Sequence, residues 1–255
     1  MLGAIIGDIV GSRFEFNNTS DVNFELFTSE CSYTDDTICT IAIADAICNG
    51  KEYGNSLREW CRRYPNPKGD YGGSFARWIL SANPQPYNSF GNGSAMRVSS
   101  VGLWYGTLED VQLEAEKTAI PTHNHIEGVK GAVVTAIAIF IARKYGKEKM
   151  LEKAREFYEF KLPDFGTNPF DETCQGTMPV VFGILEKANS FEEAIRYAVA
   201  VGGDSDTICA IVGSMSEVIW GVPIEMVRKA TKFLTEEMCE VIEMFYNELE
   251  RKRNE

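Results

Sequence analysis

Hydrophobic positions recur along most of this chain at the three- and four-residue spacing of an α-helix. Four segments are apolar on nearly every side and predict buried helices over residues 2–10, 37–48, 129–143 and 207–219. Three more are apolar along one stripe and predict amphipathic helices over residues 148–160, 190–201 and 235–251. Because the alternating pattern of a β-strand is nearly absent, the sequence predicts an all-α fold.

Stretches rich in glycine, asparagine, proline and aromatic residues separate these segments, at residues 13–35, 64–72, 83–97 and 163–178. Loops of this length in a compact chain are usually functional. The chain has 255 residues and no linker-like composition, which suits one hydrophobic core. We therefore expect residues 1–255 to form a single compact globular domain of orthogonally packed helices, with the loops gathered around a cleft.

Composition and charge narrow the possible function classes. Hydrophobic residues make up 44% of the chain, and 37 acidic against 25 basic residues give a net charge of −12. This balance argues against a nucleic-acid partner, which needs a basic groove. The longest apolar run, residues 132–142, is about half of the roughly 20 residues that span a membrane. Seven cysteines without a Cys-x-x-Cys pair, and an N-terminus without a basic signal region, indicate reduced thiols in the cytoplasm.

The tetrapeptide Asp-Thr-Ile-Cys occurs twice, once in residues 33–39 and once in residues 202–209, which we call the first and second elbow. In each elbow a further aspartate, Asp35 or Asp204, comes shortly before it. Each elbow therefore places two carboxylates and a threonine at the start of an apolar helix. Free N–H groups at such a start favour anions and hydroxyl caps.

Two explanations fit the elbows. Ordinary helix capping accounts for one acid and one threonine at each helix start, but it does not require a second carboxylate. A divalent cation between the elbows accounts for both, because converging carboxylates repel one another unless a positive charge lies among them. Oxygen ligands without histidine or cysteine favour Mg²⁺ or Mn²⁺ over zinc. The adjacent carboxylates of Asp35 and Asp36 suit two ions better than one.

Two other acids lie near the first predicted helix. Glu15 stands between Phe14 and Phe16 in the loop that follows this helix. Apolar neighbours would raise the pKa of Glu15 toward the range of a general acid or base. The alternative is a loop acid that pairs with Arg13. Asp8, inside the apolar helix, is expected to be a buried structural acid, or else to support the metal ligands from behind.

Residues 89–97, which we call the Gly-Asn-Gly loop, precede a segment expected to continue as a helix to residue 103. Backbone N–H groups at such a helix start suit a phosphate or diphosphate, although the lysine and strand of a P-loop are missing. The rings of Tyr87 and Phe90 either stack on a base or fill the core. His123, just before the helix expected over residues 126–143, either contacts phosphate or has a structural role.

Taken in order, these motifs resemble the ADP-ribosylglycohydrolase family, which includes the dinitrogenase-reductase-activating glycohydrolase. The resemblance extends from residue 2 to residue 221 and is carried by GAIIGDIVGSRFEF, YTDDT, GNGSAMRV, TH and GGDSDTICAIVGS. Two aspartate elbows in this order, with the Gly-Asn-Gly loop between them, are highly specific. Ser205 stands where the family often has threonine, a change expected to matter little because this residue is not a ligand.

The resemblance implies an all-α fold whose loops line a cleft with a dinuclear Mg²⁺ or Mn²⁺ centre. It assigns the two ions to Thr34, Asp35, Asp36, Asp204, Asp206 and Thr207. It implies catalytic roles for Asp35, Asp204 and Glu15, the last of which matches a glutamate beside the scissile bond. It assigns ADP-ribose binding, with adenine stacked on Phe90, to Gly72, Gly73, Ser89, Phe90, Gly91, Asn92, Gly93, Ser94, Met96, Arg97 and His123.

These implications predict a metal-dependent hydrolase that cleaves the glycosidic bond between ADP-ribose and a modified protein side chain or a small acceptor. Its substrate would be an ADP-ribosylated protein or another ADP-ribose conjugate. Two alternatives use the same residues: a two-metal phosphoesterase that cleaves the diphosphate, and a non-catalytic protein that only binds ADP-ribose. The linkage that is cleaved and the oligomeric state stay open, since the loops at residues 17–30 and 163–172, which would shape substrate choice, match no known pattern.

Overall fold

A computed structural model describes residues 1–254, and within them the chain forms fourteen α-helices, one 3₁₀-helix and no β-strand. In chain order the α-helices are α1 Leu2–Gly11, α2 Asp35–Asn49, α3 Tyr53–Arg63, α4 Gly73–Leu80, α5 Gly93–Met96, α6 Ser99–Trp104, α7 Leu108–Ala119, α8 Ile126–Tyr145, α9 Lys147–Ala154, α10 Cys174–Lys187, α11 Phe191–Ala200, α12 Ser205–Trp220, α13 Ile224–Ala230 and α14 Glu236–Asn254. The 3₁₀-helix, Thr231–Phe233, lies between α13 and α14. The all-α prediction is confirmed.

The glycines of α1 decide how closely this helix packs. A Cβ atom at Gly3 would lie 2.1 Å from the carbonyl oxygen of Gly213, and one at Gly11 would lie 2.6 Å from the Cα atom of Asp206. Gly7 lies between them on the same helix face, because residues four apart line one side. The backbone of α1 therefore lies directly against that of α12. This contact places the loop that follows α1 beside the second elbow.

The helices predicted to be buried form the centre of the molecule. α12 packs against α1, α8, α10 and α11, and α8 packs in turn against α6, α7 and α9. Side chains from these helices, such as Ile5, Ile139 and Val212, have no solvent exposure or almost none. The core thus lies behind the helix N-termini, and the loops that precede α2 and α12 are held at one edge of it. Within residues 1–254, no helix has both the length and the hydropathy needed to cross a bilayer.

Several predicted boundaries were wrong. α9 ends at Ala154 rather than at residue 160, because the aromatic residues after it turn toward α10, where the ring of Phe160 lies 5.4 Å from that of Phe182. The Gly-Asn-Gly loop leads into two short helices instead of one. The break falls at Arg97, whose buried side chain donates to the carbonyl of Thr118. Helices α3, α4, α7, α10 and α13 were not predicted, and the first turn of α10 falls in a stretch predicted as a loop.

Candidate active site

A cleft of about 340 Å³ lies where the two elbows, the Gly-Asn-Gly loop and the loop of residues 12–34 converge; we call the last of these the Glu15 loop. Its wall contains all but three of the residues predicted for the site. These wall residues are Glu15, Asp35, Asp36, Gly72, Gly73, Ser89, Gly91, Asn92, Gly93, Met96, Arg97, His123, Asp204, Asp206 and Thr207. The other three, Thr34, Phe90 and Ser94, lie outside the wall.

The first elbow is held by helix capping and by a buried acid. The hydroxyl oxygen of Thr34 accepts a hydrogen bond from the Asp36 N–H at 3.2 Å. Asp8, fully buried, accepts hydrogen bonds from the N–H and hydroxyl groups of both Thr34 and Thr37. Burial raises the pKa of Asp8 to about 6, and these four bonds limit the rise. Asp8 is therefore a saturated structural acid, and the Thr34 hydroxyl points toward it rather than into the cleft.

The second elbow begins α12 without a side-chain cap. Gly202 and Gly203 have φ angles of 85° and 89°, a backbone conformation that other residues adopt only with strain. The Oδ2 atom of Asp204 accepts a hydrogen bond from Nδ2 of Asn92 at 2.7 Å. The Oδ1 atom of Asp206 is buried and has no hydrogen-bond partner among the described residues. Tertiary contacts, not local capping, hold these carboxylates.

The two elbows meet across the cleft. The Thr207 hydroxyl of the second elbow donates to Oδ2 of Asp36 in the first elbow at 3.3 Å. Carboxylate oxygens of Glu15, Asp204 and Asp206 lie within 4.8 Å of one another, close enough to bind one cation together. The aspartates of both elbows thus share one cleft. The three carboxylates that could bind one cation together include that of Glu15, which the sequence assigned to proton transfer and not to metal binding.

These carboxylates destabilise one another in the ionised form. Burial, and then the charge of neighbouring acids, raises the pKa of Asp35, Asp36 and Asp206 well above its ordinary value. Burial also raises the pKa of Asp204. Arg97 is the one Lys or Arg side chain among the wall residues. Its guanidinium donates to a backbone carbonyl and a threonine hydroxyl, so it neutralises none of the acids.

A divalent cation fits this arrangement. The Oδ1 atoms of Asp36 and Asp206 are buried without a partner in the described part of the chain, a costly state unless an ion or water completes it. The donors on offer are carboxylate and hydroxyl oxygens, which are the ligands that Mg²⁺ and Mn²⁺ prefer. The acidic cluster can therefore hold a metal ion.

Glu15 reaches the same end of the cleft from the Glu15 loop. Its carboxylate packs on the backbone of Gly69, where a Cβ atom would lie 2.6 Å from Oε2. Burial, followed by the charge of Asp204, raises the pKa of Glu15 to about 7. The alternative pairing with Arg13 does not form, since the ion pair of Arg13 is with Glu30 at 3.9 Å. A carboxyl group with a pKa near neutrality suits proton transfer at pH 7.

Two residues assigned to ADP-ribose binding have protein partners. The Nδ2 group of Asn92 donates to Asp204 and also to the hydroxyl of Thr177 at 3.0 Å. Ser94 is fully buried, and its hydroxyl donates to the carbonyl of Gly128 at 2.7 Å. The side chain of Asn92 therefore supports the second elbow, and that of Ser94 fastens the start of α5 to α8. Their contact with ADP-ribose stays a prediction.

The ring of His123 marks the other end of the cleft, beside the Gly-Asn-Gly loop, where a Cβ atom at Gly93 would lie 3.4 Å from it. Gly72 and Gly73, which begin α4, also line the cleft. The Nδ1 atom of His123 lies 2.7 Å from the hydroxyl of Thr122. Burial lowers the pKa of His123 well below its ordinary value, so the ring is neutral at pH 7. This end offers backbone N–H groups and a neutral imidazole rather than a fixed positive charge.

The predicted aromatic residue, Phe90, lies outside the cleft wall. Phe90 is 45% exposed, and its ring packs on His125 with centroids 5.3 Å apart. Tyr87 does line the cleft, with its ring 6.3 Å from that of His123, as do Phe16, Tyr71 and Phe75. The chain turns between Tyr87 and Phe90 at Asn88, which has a φ of 57°. The stacking of adenine on Phe90 stays a prediction, with Tyr87 as a second candidate.

Sequence reasoning missed several wall residues, among them Glu172 and Phe16. Glu172 lines the cleft, and burial together with the charge of Asp204 raises the pKa of Glu172. Phe16 is 75% exposed at the cleft and stacks on Phe170 with centroids 5.8 Å apart. Both lie in stretches whose composition marked them as functional loops. That signal identifies a loop but not the member that faces the cleft.

Comparison with known proteins finds relatives along the whole chain. The sequence profile of the ADP-ribosylglycohydrolase family matches residues 1–255. The chain is 22% identical to the ADP-ribosylhydrolase ARH3 of Homo sapiens, over 87% of this chain and 84% of that protein. It is 24% identical to the ADP-ribosylarginine hydrolase Tri1 of Pseudomonas putida (strain GB-1), over 90% of this chain and 72% of that protein. A solved ADP-ribosylglycohydrolase-related protein complex has the same fold, with a TM-score of 0.74 and 21% identity over 96% of each chain.

Proposed function

This chain belongs to the ADP-ribosylglycohydrolase family, and from that premise we propose that it is a metal-dependent hydrolase of ADP-ribose conjugates. It cleaves the glycosidic bond between ADP-ribose and a modified protein side chain or small acceptor, and it releases ADP-ribose. Two relatives that align with most of this chain carry the names ADP-ribosylhydrolase and ADP-ribosylarginine hydrolase, which supports a hydrolase at the level of the family.

One observation supports catalysis over binding alone. Glu15 has a pKa of about 7 and lies within 4.8 Å of the Asp204 and Asp206 carboxylates. A protein that only binds ADP-ribose needs donors for the diphosphate and ribose. It does not need a partly buried carboxyl group beside a cation site, because burying that group costs stability. A hydrolase requires such a group for proton transfer.

The proposed cation site is the acidic end of the cleft. Asp35, Asp36, Asp204 and Asp206 would hold two Mg²⁺ or Mn²⁺ ions, with the hydroxyl of Thr207 beside them, while Thr34 caps the helix start that carries Asp35 and Asp36. When bound, the ions would neutralise the carboxylates and supply Lewis-acid polarisation to the ribose hydroxyls and the attacking water. Asn92 keeps Asp204 in place for this role through its 2.7 Å hydrogen bond.

Glu15 carries the proton in this proposal. Burial raises the pKa of Glu15 to about 7 in the metal-free site, and cations bound beside it would lower that pKa, so the ionised form starts the reaction. It accepts a proton from the attacking water, and the protonated form that results donates this proton to the leaving atom of the acceptor. Microscopic reversibility allows one carboxyl group to serve both steps, as in other glycosidic hydrolyses.

The other end of the cleft would bind the diphosphate and adenosine. The start of α4 at Gly72 and Gly73 offers backbone N–H groups that suit phosphate oxygens, and a neutral His123 adds a hydrogen-bonding group. Tyr87 is the candidate ring that lines the cleft, and stacking on adenine is worth roughly 1–3 kcal/mol. If adenine stacks on Tyr87, Tyr87→Ala should weaken ADP-ribose binding about tenfold in calorimetry, whereas Phe90→Ala should not. The reverse result would assign the stacking to Phe90.

The decisive experiment measures products. Purified protein with Mg²⁺ or Mn²⁺ is incubated with ADP-ribosyl-arginine, ADP-ribosyl-serine and O-acetyl-ADP-ribose, and the products are separated by chromatography. Release of ADP-ribose from at least one conjugate is expected. Release of AMP would instead support the phosphoesterase, and tight binding without any product would support a binding protein.

Glu15→Gln separates catalysis from binding in the same assay. The amide keeps the size of the side chain but cannot titrate, so turnover should fall about 10²-fold or more while ADP-ribose affinity stays within a few-fold. Glu25→Gln is the matched control, because Glu25 is an exposed acid of the same loop outside the cleft wall. Wild-type turnover in Glu15→Gln would move the proton-transfer role to one of the aspartates.

A further inference from the structure

We propose that Asn18 is the positioning residue for Glu15: it fastens the Glu15 loop to the second elbow, and it acts on hydrolysis through Glu15. This inference rests on the proposed function, since it assigns a role in the reaction to a residue that does not line the cleft. Asn18 carried no signal in the sequence, where it is one of several asparagines in a loop.

The side-chain amide of Asn18 makes two hydrogen bonds with the backbone of Gly203. Its Oδ1 atom accepts a hydrogen bond from the Gly203 N–H at 2.8 Å, and its Nδ2 group donates to the Gly203 carbonyl at 2.9 Å. The same Nδ2 group lies 3.2 Å from the hydroxyl oxygen of Ser205. A single side chain therefore holds the residue that immediately precedes Asp204.

Asn18 also ties back to its own loop. Its Nδ2 group donates to the carbonyl of Phe14 at 2.6 Å and lies 3.4 Å from the carbonyl of Glu15. The backbone on both sides of the Phe14–Glu15 peptide is thus linked, through one amide, to the second elbow. The distance of the Glu15 carboxylate from Asp204 and Asp206 depends on this link.

The link holds an exposed stretch of the loop against the acidic cluster. The carboxylate of Glu15 lies within 4.8 Å of those of Asp204 and Asp206, although Phe16 and Asn17, which follow it, are exposed. Without a tie, this stretch would be free to carry Glu15 out toward water, where it could no longer reach the scissile bond. The hydrogen bonds of Asn18 keep the loop in place.

Only an asparagine satisfies this geometry. The contact with Gly203 needs one acceptor and one donor at the spacing of a primary amide, and the length of the side chain is set by the approach of the two loops. Aspartate lacks the donor and would face two carbonyl oxygens with a negative charge. Leucine has nearly the same size but neither group, which makes Asn18→Leu the cleanest removal of the link.

The elbow has a second tie that does not involve the Glu15 loop. Asn168, from the loop before α10, donates its Nδ2 group to the carbonyl of Gly202 at 3.0 Å, and its N–H donates to the carbonyl of Val201 at 3.0 Å. The elbow therefore keeps one support when Asn18 is replaced. Metal binding by Asp204 should survive Asn18→Leu, whereas the placement of Glu15 should not.

The test is a double-mutant cycle between Asn18→Leu and Glu15→Gln, with turnover, ADP-ribose affinity and thermal unfolding measured for each variant. Asn18→Leu should lower kcat about 10- to 100-fold, a loss expected from misplacing a reacting group by about 1 Å, and leave ADP-ribose affinity within about threefold. In the Glu15→Gln background the same substitution should cost nothing further, because its effect passes through Glu15. Asn17→Leu is the control, since Asn17 is the exposed neighbour and joins the fold through its backbone N–H.

Each other outcome has a defined meaning. If the two substitutions are additive, or if Asn18→Leu weakens ADP-ribose binding as much as turnover, Asn18 supports the cleft as a whole and the proposal is wrong. If Glu15→Gln keeps wild-type turnover, the proposed role of Glu15 fails first and the cycle shows it directly. Should Asn18→Leu not fold, Asn18→Asp keeps the size and the bond from the Gly203 N–H, and it enters the same cycle with the same expected loss.

Discussion

The two elbows share the tetrapeptide Asp-Thr-Ile-Cys and the start of a buried helix, yet they are held in opposite ways. The first is supported by its own cap and by a single acid of α1: Thr34 caps α2, and Asp8 accepts four hydrogen bonds from Thr34 and Thr37. The second has no side-chain cap and turns on two glycines with positive φ. Its supports, Asn18, Asn92 and Asn168, come from three distant loops.

The difference shows what each elbow needs for its function. The first elbow combines a local helix cap with four hydrogen bonds to one buried acid of α1, so few partners fix the position of its carboxylates. The second elbow depends on other loops, and each of those loops also contributes a residue to the cleft. Glu15 comes from the loop of Asn18, and Glu172 comes from the loop of Asn168. Fixing the second elbow therefore fixes the rest of the site.

The largest effect is expected from removing a metal ligand, and it should be equal in the two elbows. Asp36→Asn and Asp206→Asn each remove a buried carboxylate that has an unpartnered oxygen. Replacing a residue that only hydrogen-bonds to a metal ligand typically lowers metal affinity or activity about 10–100-fold. Replacing the ligand itself should therefore lower turnover at least about 10²-fold. Turnover and Mn²⁺ affinity measure this, with exposed Asp21→Asn as control. Full activity in either variant would mean that its elbow binds no essential ion.

The largest loss of folding stability is expected from replacing Asp8, the buried acid that supports the first elbow. Asp8→Ala leaves buried N–H and hydroxyl groups of Thr34 and Thr37 without an acceptor, so the free energy of unfolding should fall by about 3 kcal/mol. Urea unfolding of the metal-free protein measures the change. Asp206→Asn should not destabilise the metal-free protein, because it relieves repulsion among acids. An equal loss in both variants would show that both acids are structural.

The next largest effect is expected from a substitution in the glycine turn of the second elbow. A Cβ atom at Gly203 would lie 2.5 Å from Nδ2 of Asn168, in addition to the strain of a positive φ. Gly203→Ala should therefore cost about 1–3 kcal/mol. Gly50→Ala is the matched control, because Gly50 has a positive φ with open space around it. The difference between the two losses of stability measures the cost of the contact between the new Cβ atom and Asn168. Equal losses would show that the loop of Asn168 moves away to make room.

The smallest effect is a pH dependence that the acids of both elbows and of the Glu15 loop share. Burial raises the pKa of Asp8 to about 6 and that of Glu15 to about 7, and it also raises the pKa values of Asp35, Asp36, Asp204 and Asp206. The folded state therefore keeps protons that the unfolded chain has released, so the stability of the metal-free protein should fall as pH rises from about 4 through about 7. Thermal unfolding should show this fall, and Mg²⁺ should reduce it. Glu15→Gln should make the fall shallower, most of all near pH 7; an unchanged profile would contradict the raised pKa of Glu15.

The sequence by itself determined the all-α class, the buried helices and the residue types of the acidic cluster. These features are local: helical periodicity, glycines spaced four apart in α1, and carboxylates adjacent to a helix start all follow from neighbouring residues. The tetrapeptide repeat pointed to the elbows for the same reason, since both copies place the same groups at the same helical position.

Only the tertiary structure decided which side chains face the cleft and which hold it in place. Asn92 was predicted as a ligand contact; its partner Asp204 lies 112 residues away, and no local pattern encodes that bond. From the sequence alone, Tyr87 and Phe90 are equally good candidates for a ring in the cleft. Only Tyr87 lines it, because the chain turns between them at Asn88. Asn18 reaches Gly203 across 185 residues. The physical reason is common to all three: side-chain hydrogen bonds are short-ranged, so their partners are chosen by how the helices pack, and not by neighbours along the chain.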